Sequence, residues 1–165
     1  MATVTRFEDL EIWQLARVLA KRIHELYTSS PAFAKDFKLK DQINGSSGSV
    51  MDNIAEGFGR GSNNEFVNFL SYSIGSAEEV KSQLYRGFDR HYYEKTVFDE
   101  IYELAEKVRN KTGNLIEYLN NSTFPGIKFK NRNPKNKQKP PNKPTTNNST
   151  TNNLTTNDKP TNDKQ

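Results

Sequence analysis

The chain has 165 residues, no cysteine and a formal net charge of +4. This length accommodates one domain of roughly 100–150 residues together with an extension. Without cysteine, the chain can form neither a disulfide framework nor a thiolate metal site. The first residues lack the basic-then-apolar layout of a signal peptide, and no apolar run approaches the roughly 18 residues of a membrane span. We therefore expect a soluble cytoplasmic protein that does not contact a membrane.

The first predicted helix runs from about Asp9 to Tyr27, with Asp9 as its N-cap. Its apolar residues fall on two stripes. One stripe comprises Leu10, Trp13, Ala16, Ala20, Ile23 and Tyr27, and the other comprises Ile12, Leu15, Val18, Leu19 and Leu26. A helix that is apolar on more than one side needs more than one set of neighbours, so we expect this helix to support assembly with sister copies. Residues 29–31 (SSP) then break the pattern.

The second predicted helix runs from about Asp36 to Phe58. Its apolar positions are Leu39, Ile43, Val50, Ile54 and Phe58. Its middle, residues 44–49 (NGSSGS), is small and polar, and each interior glycine costs about 0.8–1 kcal/mol relative to alanine. Small residues often mark the close approach of another backbone, so we expect tight packing there. The alternative is a frayed or kinked turn.

Strong signals for the end of one helix and the start of the next follow. Gly57, Gly59 and Gly61 supply positions where a positive φ is inexpensive. Ser62 and Glu65 form a Ser-x-x-Glu capping box, which predicts the start of a third helix.

The third predicted helix continues to about Asp89, and the fourth starts near Thr96. The apolar face of the third comprises Phe66, Phe69, Leu70, Ala77, Val80, Leu84 and Phe88, with Ser73 among them, and that of the fourth comprises Val97, Ile101, Leu104, Val108, Leu115 and Leu119. Short connections between long helices place neighbours antiparallel. We therefore predict an all-α fold, an antiparallel up-down-up-down four-helix bundle.

Charge divides the chain at about residue 122. Residues 1–122 hold 15 Lys/Arg and 18 Asp/Glu, whereas residues 123–165 hold 9 Lys/Arg and 2 Asp. From Phe124 onward the chain consists mainly of Asn, Thr, Lys and Pro, which bury too little apolar surface to offset the entropy of ordering. We predict a bundle domain over residues 1–122 and a disordered basic tail over residues 123–165.

The sequence contains no recognisable catalytic or metal-binding arrangement. His24 and His91 are the two histidines, and neither has a Glu three positions before it, as the Glu-x-x-His motifs of a di-iron bundle require. No Ser-His-Asp arrangement fits the spacing. We predict that the chain is not an enzyme and binds no metal and no cofactor.

The glycine-rich segment 57–62 (GFGRGS) raises the question of phosphate binding, because backbone amides at a helix N-terminus attract anions. The segment lacks the preceding strand of a dinucleotide fingerprint and the Gly-Lys-Ser/Thr of a P-loop. Arg60 is a candidate to bind a phosphate, and it is also a candidate to pair with Glu56, four residues earlier. We favour the structural alternative.

Three stretches of the sequence resemble a known family. They are residues 7–13 (FEDLEIW), residues 52–62 (DNIAEGFGRGS) and the following Glu65-Phe66 and Phe69-Leu70. Together they resemble the four-helix-bundle family named for proteins encoded in intervening sequences of bacterial 23S ribosomal RNA. The resemblance covers residues 6 to about 120. Many relatives have an Ala-rich sequence and a Pro before the motif, whereas this chain has the Gly/Ser cluster, which leaves the straightness of helix two open.

The resemblance implies a homopentamer of four-helix protomers around a central channel. It also implies a distant kinship to the accessory protein of diversity-generating retroelements, a pentamer that engages a reverse transcriptase and nucleic acid. It implies no reaction. By the family pattern, Asn53, Glu56, Gly57 and Arg60 are the motif positions, and they fit a structural or assembly role at least as well as a binding role. The like-charged pair of Asp52 and Glu56 needs a nearby cation, from Arg60 or from an adjacent subunit.

Two functions from different classes follow. In the first, the chain is an accessory factor whose basic tail contacts the phosphates of RNA or DNA, with affinity that depends on salt and gains from multiple copies. The candidate residues are Lys128, Lys130, Arg132, Lys135, Lys137, Lys139 and Lys143. In the second, the tail only solvates the protein, and the acidic domain is a scaffold for a protein partner. A reverse transcriptase is a candidate partner of the accessory factor in the first function.

Overall fold

The computed structural model describes residues 4–123 and Gly126. These residues contain one short 3-10 helix, Phe7–Asp9, and five α-helices. The α-helices are α1 (Glu11–Ser29), α2 (Pro31–Lys35), α3 (Phe37–Gly59), α4 (Asn63–Asp89) and α5 (Lys95–Asn120). None of the described residues lies in a β-strand, so the predicted all-α class is confirmed.

The four long helices, α1, α3, α4 and α5, pack as an antiparallel bundle. The directions follow from pairs of contacts in which residue numbers rise along one helix and fall along its neighbour. They are Glu11–Lys111 and Arg22–Glu100 between α1 and α5, Gln42–Arg86 and Ser46–Glu79 between α3 and α4, and Lys81–Glu106 and Tyr85–Phe98 between α4 and α5. Helix α1 also packs against α3, which closes the ring of four. The predicted up-down-up-down bundle is therefore confirmed.

One buried stripe from each long helix forms the core, because apolar residues three or four apart share a helix face. The stripes are Ile12, Ala16, Leu19, Ile23 and Leu26 in α1; Leu39, Ile43, Val50 and Ile54 in α3; Phe66, Leu70, Ala77, Val80 and Leu84 in α4; and Phe98, Ile101, Ala105 and Val108 in α5.

None of the helices in the described part of the chain combines the length and the apolar composition of a membrane span.

The start of α1 differs from the prediction. Leu10, not Asp9, is the N-cap residue of α1. Asp9 ends the 3-10 helix, whose last turn is closed by a hydrogen bond of 3.0 Å from the Leu10 amide to the Phe7 carbonyl. The acidic residue therefore belongs to a separate short turn, which the helical periodicity of the sequence did not indicate.

The extra apolar side of α1 is covered by two short elements that the sequence patterns did not reveal. Trp13 packs edge-on against Phe7 of the 3-10 helix, with ring centroids 5.0 Å apart. Tyr27 packs edge-on against Phe33 of α2 at 6.4 Å, and Phe33 is fully buried. Trp13 and Tyr27, both on the first predicted stripe, therefore find neighbours within the same chain, whereas Val18 on the second stripe stays 48% exposed.

The small polar segment in the middle of α3 is helical throughout, so the alternative of a frayed turn is wrong. The predicted tight packing holds for Ser46 and Ser47, which are both buried. Ser46 contacts Glu79 and Gln83 of α4, each at 3.0 Å. The prediction is wrong for Gly45 and Gly48, since no atom lies within 4 Å of the position of an added Cβ.

At the end of the bundle opposite the α3–α4 loop, Asp36 links the start of α3 to the α4–α5 turn. Its carboxylate caps α3 by accepting from the Leu39 amide at 3.2 Å. It also pairs with Arg90 and accepts from the Tyr92 hydroxyl at 3.0 Å, which ties the α4–α5 turn to the start of α3. Burial opposes ionisation of Asp36, but these three donors outweigh it and hold the pKa of the carboxyl below its usual range.

Replacement of Asp36 is expected to destabilise the bundle. Asp36→Ala removes the helix cap and the link to Arg90 together, and we expect it to lower the free energy of unfolding by about 2 kcal/mol. Asp36→Asn is the matched control, because asparagine keeps a capping oxygen but carries no charge. Asp36→Asn is therefore expected to lower the free energy of unfolding by less than Asp36→Ala.

The same pair of variants tests the pKa. Because the pKa of Asp36 is lowered in the folded state, its charge stabilises the fold above the unfolded pKa of about 4 and loses this effect as the pH falls through the folded pKa. The difference in urea stability between the native protein and Asp36→Asn should therefore be present at pH 7 and shrink towards pH 2. A difference that does not change with pH contradicts the assignment.

Candidate functional site

The four family-pattern positions lie where α3 ends and α4 begins, and we call this region the α3–α4 corner. Its residues are Asn53, Glu56, Gly57, Arg60, Gly61, Ser62, Phe66, Phe69 and Tyr72. Three of the four pattern positions, Glu56, Gly57 and Arg60, contact one another or α4 there. The fourth, Asn53, makes its hydrogen bond within α3: its side-chain amide donates to the Ser49 carbonyl, one turn earlier, at 2.8 Å.

Gly61 is the one glycine of the segment 57–62 whose backbone conformation favours glycine. Gly61 has a φ of 68°, in the region that favours glycine, whereas Gly57 and Gly59 lie within α3. Of the three glycines at which a positive φ was predicted to be inexpensive, Gly61 alone adopts one. Ser62 is the N-cap residue of α4 as predicted, but its side chain makes no capping hydrogen bond.

Gly57 is needed for the close approach of α3 to α4. It is buried, and a Cβ added to it would lie 2.6 Å from the Phe69 Cβ and 3.0 Å from a ring carbon of Phe66. The nearest atom is the first side-chain carbon of Phe69, which cannot move without the backbone of α4. Phe58 follows and packs edge-on against Phe66 at 6.0 Å. The glycine of the family pattern thus has a structural role at this contact.

Arg60 is paired within its own chain. Its guanidinium forms an ion pair with Glu56, and its Cζ lies 5.1 Å from the ring centroid of Phe69. The cation that the Asp52–Glu56 pair needs is therefore Arg60, without an adjacent subunit. Both side chains of the pair are about half exposed, at 48% for Arg60 and 52% for Glu56. This geometry supports the structural alternative over a phosphate site.

An exposed aromatic edge adjoins the pair. Tyr72 is 61% exposed, and its ring packs edge-on against Phe69 with centroids 5.8 Å apart. The corner therefore presents Phe69 and Tyr72 as an aromatic surface beside the Arg60–Glu56 ion pair. Tyr72 does not lie on the apolar stripe of α4, so the helical period of the sequence is enough to predict that its side chain faces outward.

Gly126 also packs on the corner. It is buried, and a Cβ added to it would lie 2.7 Å from the Gly61 carbonyl oxygen. This residue lies four positions after the predicted domain boundary at residue 122. The seven tail cations predicted to bind nucleic acid, from Lys128 to Lys143, lie outside the described residues.

The two histidines occupy separate places. His24 Nδ1 lies 2.6 Å from the Tyr27 hydroxyl on α1, and His91 is an exposed turn residue with a φ of 56°. No group of three or more acidic or histidine side chains within residues 4–123 is arranged to hold a metal ion.

Comparison with known proteins was made for the sequence and for the fold. The sequence profile of the family described as 23S rRNA-intervening sequence protein matches residues 8–114. No curated protein shows significant similarity to the chain. A protein of unknown function from the S23 ribosomal protein family of Bacteroides thetaiotaomicron, solved at 1.70 Å, has a similar structure, with a TM-score of 0.60 and 23% identity. The alignment covers 64% of this chain and 98% of that one, and at this identity it shows the shared fold.

Substitution of Gly57 tests the packing of the corner. Gly57→Ala forces the Phe69 backbone away, and we expect it to lower the free energy of unfolding by about 2 kcal/mol. Gly75→Ala in α4 is the control, because nothing lies within 4 Å of its added Cβ. There alanine should raise stability by about 0.5–1 kcal/mol, since it is the better helix former. Chemical unfolding measures both, and equal effects at the two positions would be inconsistent with a close contact at Gly57.

Proposed function

This chain belongs to the family of 23S rRNA-intervening sequence proteins, and from that premise we propose that it is a non-enzymatic, homo-oligomeric accessory factor for nucleic acid. The proposed assembly is a pentamer, as the family resemblance implies. Its proposed place is the cytoplasm, and its proposed partners are RNA or DNA, with or without a reverse transcriptase. No membrane, metal or cofactor takes part in this proposal.

The distribution of charge carries the proposal. The segment from Lys128 to Lys143 contains seven cations and no acid. Phosphate contacts by such cations release counterions, so the affinity falls steeply with salt and depends little on base sequence. In an assembly, several such segments act together, so that weak contacts add to a useful affinity.

Several charges of the bundle, in contrast, are paired within the chain. Arg22 pairs with Glu100 at 2.9 Å, and Lys81 pairs with Glu106 at 2.6 Å. Burial opposes the charge of Lys81, but its carboxylate partners outweigh burial and raise the pKa of the ammonium. This observation favours the second candidate function, a scaffold that binds a protein partner through the acidic bundle and does not bind nucleic acid.

Neutralising the tail separates the two functions. Replacing the seven cations from Lys128 to Lys143 by glutamine in the full chain is expected to abolish nucleic-acid binding at low salt. For the native chain, each phosphate contact should contribute about −0.7 to the slope of log affinity against log salt with single strands. Replacing only Lys159 and Lys164 is the matched control and should change little. Fluorescence anisotropy with labelled RNA and DNA measures both, and equal binding by the neutralised chain excludes the accessory function as proposed.

The assembly is tested by mass. Light scattering of the full chain is expected to give five times the 18.9 kDa mass of one chain. The exposed aromatic side chains that remain on a single chain, among them Phe37 at 67% and Tyr118 at 60%, are consistent with further burial in an assembly. A single-chain mass at micromolar concentration contradicts the oligomeric part of the proposal and leaves the nucleic-acid part to its own test.

A further inference from the structure

Val18 on α1 and Tyr72 on α4 are exposed side chains with large nonpolar surfaces. Val18 is 48% exposed and Tyr72 is 61% exposed. Single exposed residues of this kind are common on protein surfaces. The charges around the two residues, however, are opposite in sign, and this difference indicates what covers them.

The surface around Val18 is basic. Residues 14–22 (QLARVLAKR) contain three cations and no acid. Arg17, Val18 and Lys21 line one hollow on the outer face of α1. Arg17 forms no ion pair with any residue that the structure describes, and Lys21 keeps 75% of its side chain exposed. The third cation, Arg22, is already paired with α5. We call this region the basic α1 surface.

The surface around Tyr72 is acidic. Residues 41–59 of α3 contain three acids and no cation, and residues 63–80 of α4 contain another three acids and no cation. Arg60, between these ranges, is already neutralised by the ion pair of the corner. Asp52 is exposed and forms no ion pair within the described part of the chain. We call this region the acidic α3–α4 surface.

The two surfaces lie on different sides of the bundle. Helix α1 packs against α3 and α5, and α4 packs against the same two helices, so α1 and α4 lie diagonally across the bundle. A two-fold contact between copies joins the same surface of each copy, so it would bring like charges together at either surface. A contact between the basic α1 surface of one copy and the acidic α3–α4 surface of another brings opposite charges together.

We propose that the basic α1 surface of one copy binds the acidic α3–α4 surface of the next copy, head to tail. The partner is therefore a second copy of this chain. This inference rests on the homo-oligomeric part of the proposed function and deepens it, because it names the two surfaces that join successive copies. In the contact, the ring of Tyr72 covers Val18, and opposite charges face one another around them.

The residue types suit such a contact. Tyrosine is among the side chains that contribute most to protein interfaces, because its ring offers a large contact area and its hydroxyl can still form a hydrogen bond. The aliphatic stems of Arg17 and Lys21 extend the nonpolar surface of Val18, while their charged groups reach towards the acids of the partner. A ring of five identical copies contains no two-fold contact within it, so the proposed pentamer requires a head-to-tail contact.

Charge reversal at the centre of each surface tests the contact in the full chain. Val18→Glu places an acid opposite the acidic α3–α4 surface, and Tyr72→Lys places a cation opposite the basic α1 surface. Either change is expected to lower the mass in light scattering from that of the assembly to the 18.9 kDa of one chain. Circular dichroism checks that each variant keeps its helix content.

The matched controls are exposed residues of the same types outside both surfaces. Val4→Glu alters a 40% exposed valine before the first helix, and Tyr85→Lys alters a 50% exposed tyrosine on the side of α4 that packs against α5. Both controls are expected to keep the mass of the native assembly. If one of the first two variants loses its helix signal, Lys21→Glu or Asp52→Lys, at exposed side chains, replaces it in the same experiment.

Mixing the two variants tests the head-to-tail direction. The Val18→Glu chain keeps a native acidic α3–α4 surface, and the Tyr72→Lys chain keeps a native basic α1 surface, so one native contact can form between them. The mixture is expected to give complexes with twice the mass of one chain and none larger, because the remaining surface on each chain is altered.

The outcomes separate the inference from the function on which it rests. If the native chain has the mass of a single chain, the oligomeric part of the proposed function fails and the inference fails with it. If the native chain assembles and Val18→Glu or Tyr72→Lys keeps the full mass, the inference is overturned while the assembly stands. A variant that forms two-chain complexes by itself, or a mixture that forms none, overturns the head-to-tail contact.

Discussion

The close approach of α3 and α4 is the constraint on which the rest of the structure depends. At Gly57 the two helices leave no room for a methyl group, because the Phe69 Cβ already occupies that space. Two turns earlier in α3, the buried Ser73 hydroxyl of α4 donates to the Val50 carbonyl at 2.8 Å. Both contacts require a small side chain on one partner. Together they hold the α3–α4 loop in place, and the loop in turn carries Ser62, Arg60 and the contact with Gly126.

Charge is distributed differently over the bundle and over the sequence that follows it. Within the described bundle, Arg60 forms an ion pair with Glu56 one turn earlier, and Lys111 of α5 forms one with Glu11 of α1. Positive charge without neighbouring acids is found in the sequence from Lys128 to Lys143. The proposed nucleic-acid contacts are therefore assigned to the extension and not to the bundle.

Helical periodicity was sufficient to predict the four long helices and their antiparallel order, because each carries one long apolar stripe. It was insufficient for the 3-10 helix at Phe7 and for α2, since elements of three and five residues are too short to show a period. These elements pack against Trp13 and Tyr27, so part of the broad apolar surface of α1 is covered within the chain. The Arg60–Glu56 pair followed from helical spacing, whereas the contact of Gly126 with Gly61 joins residues far apart in sequence and had no local signal.

Hydrogen–deuterium exchange of the full chain, with and without a saturating single-stranded RNA, tests most directly whether the basic extension carries the proposed nucleic-acid contacts. We predict slower exchange in peptides covering residues 128–143 when RNA is present. We predict no change in peptides covering residues 31–36 and 90–94 of the bundle. Slowing confined to the bundle peptides would contradict the proposal.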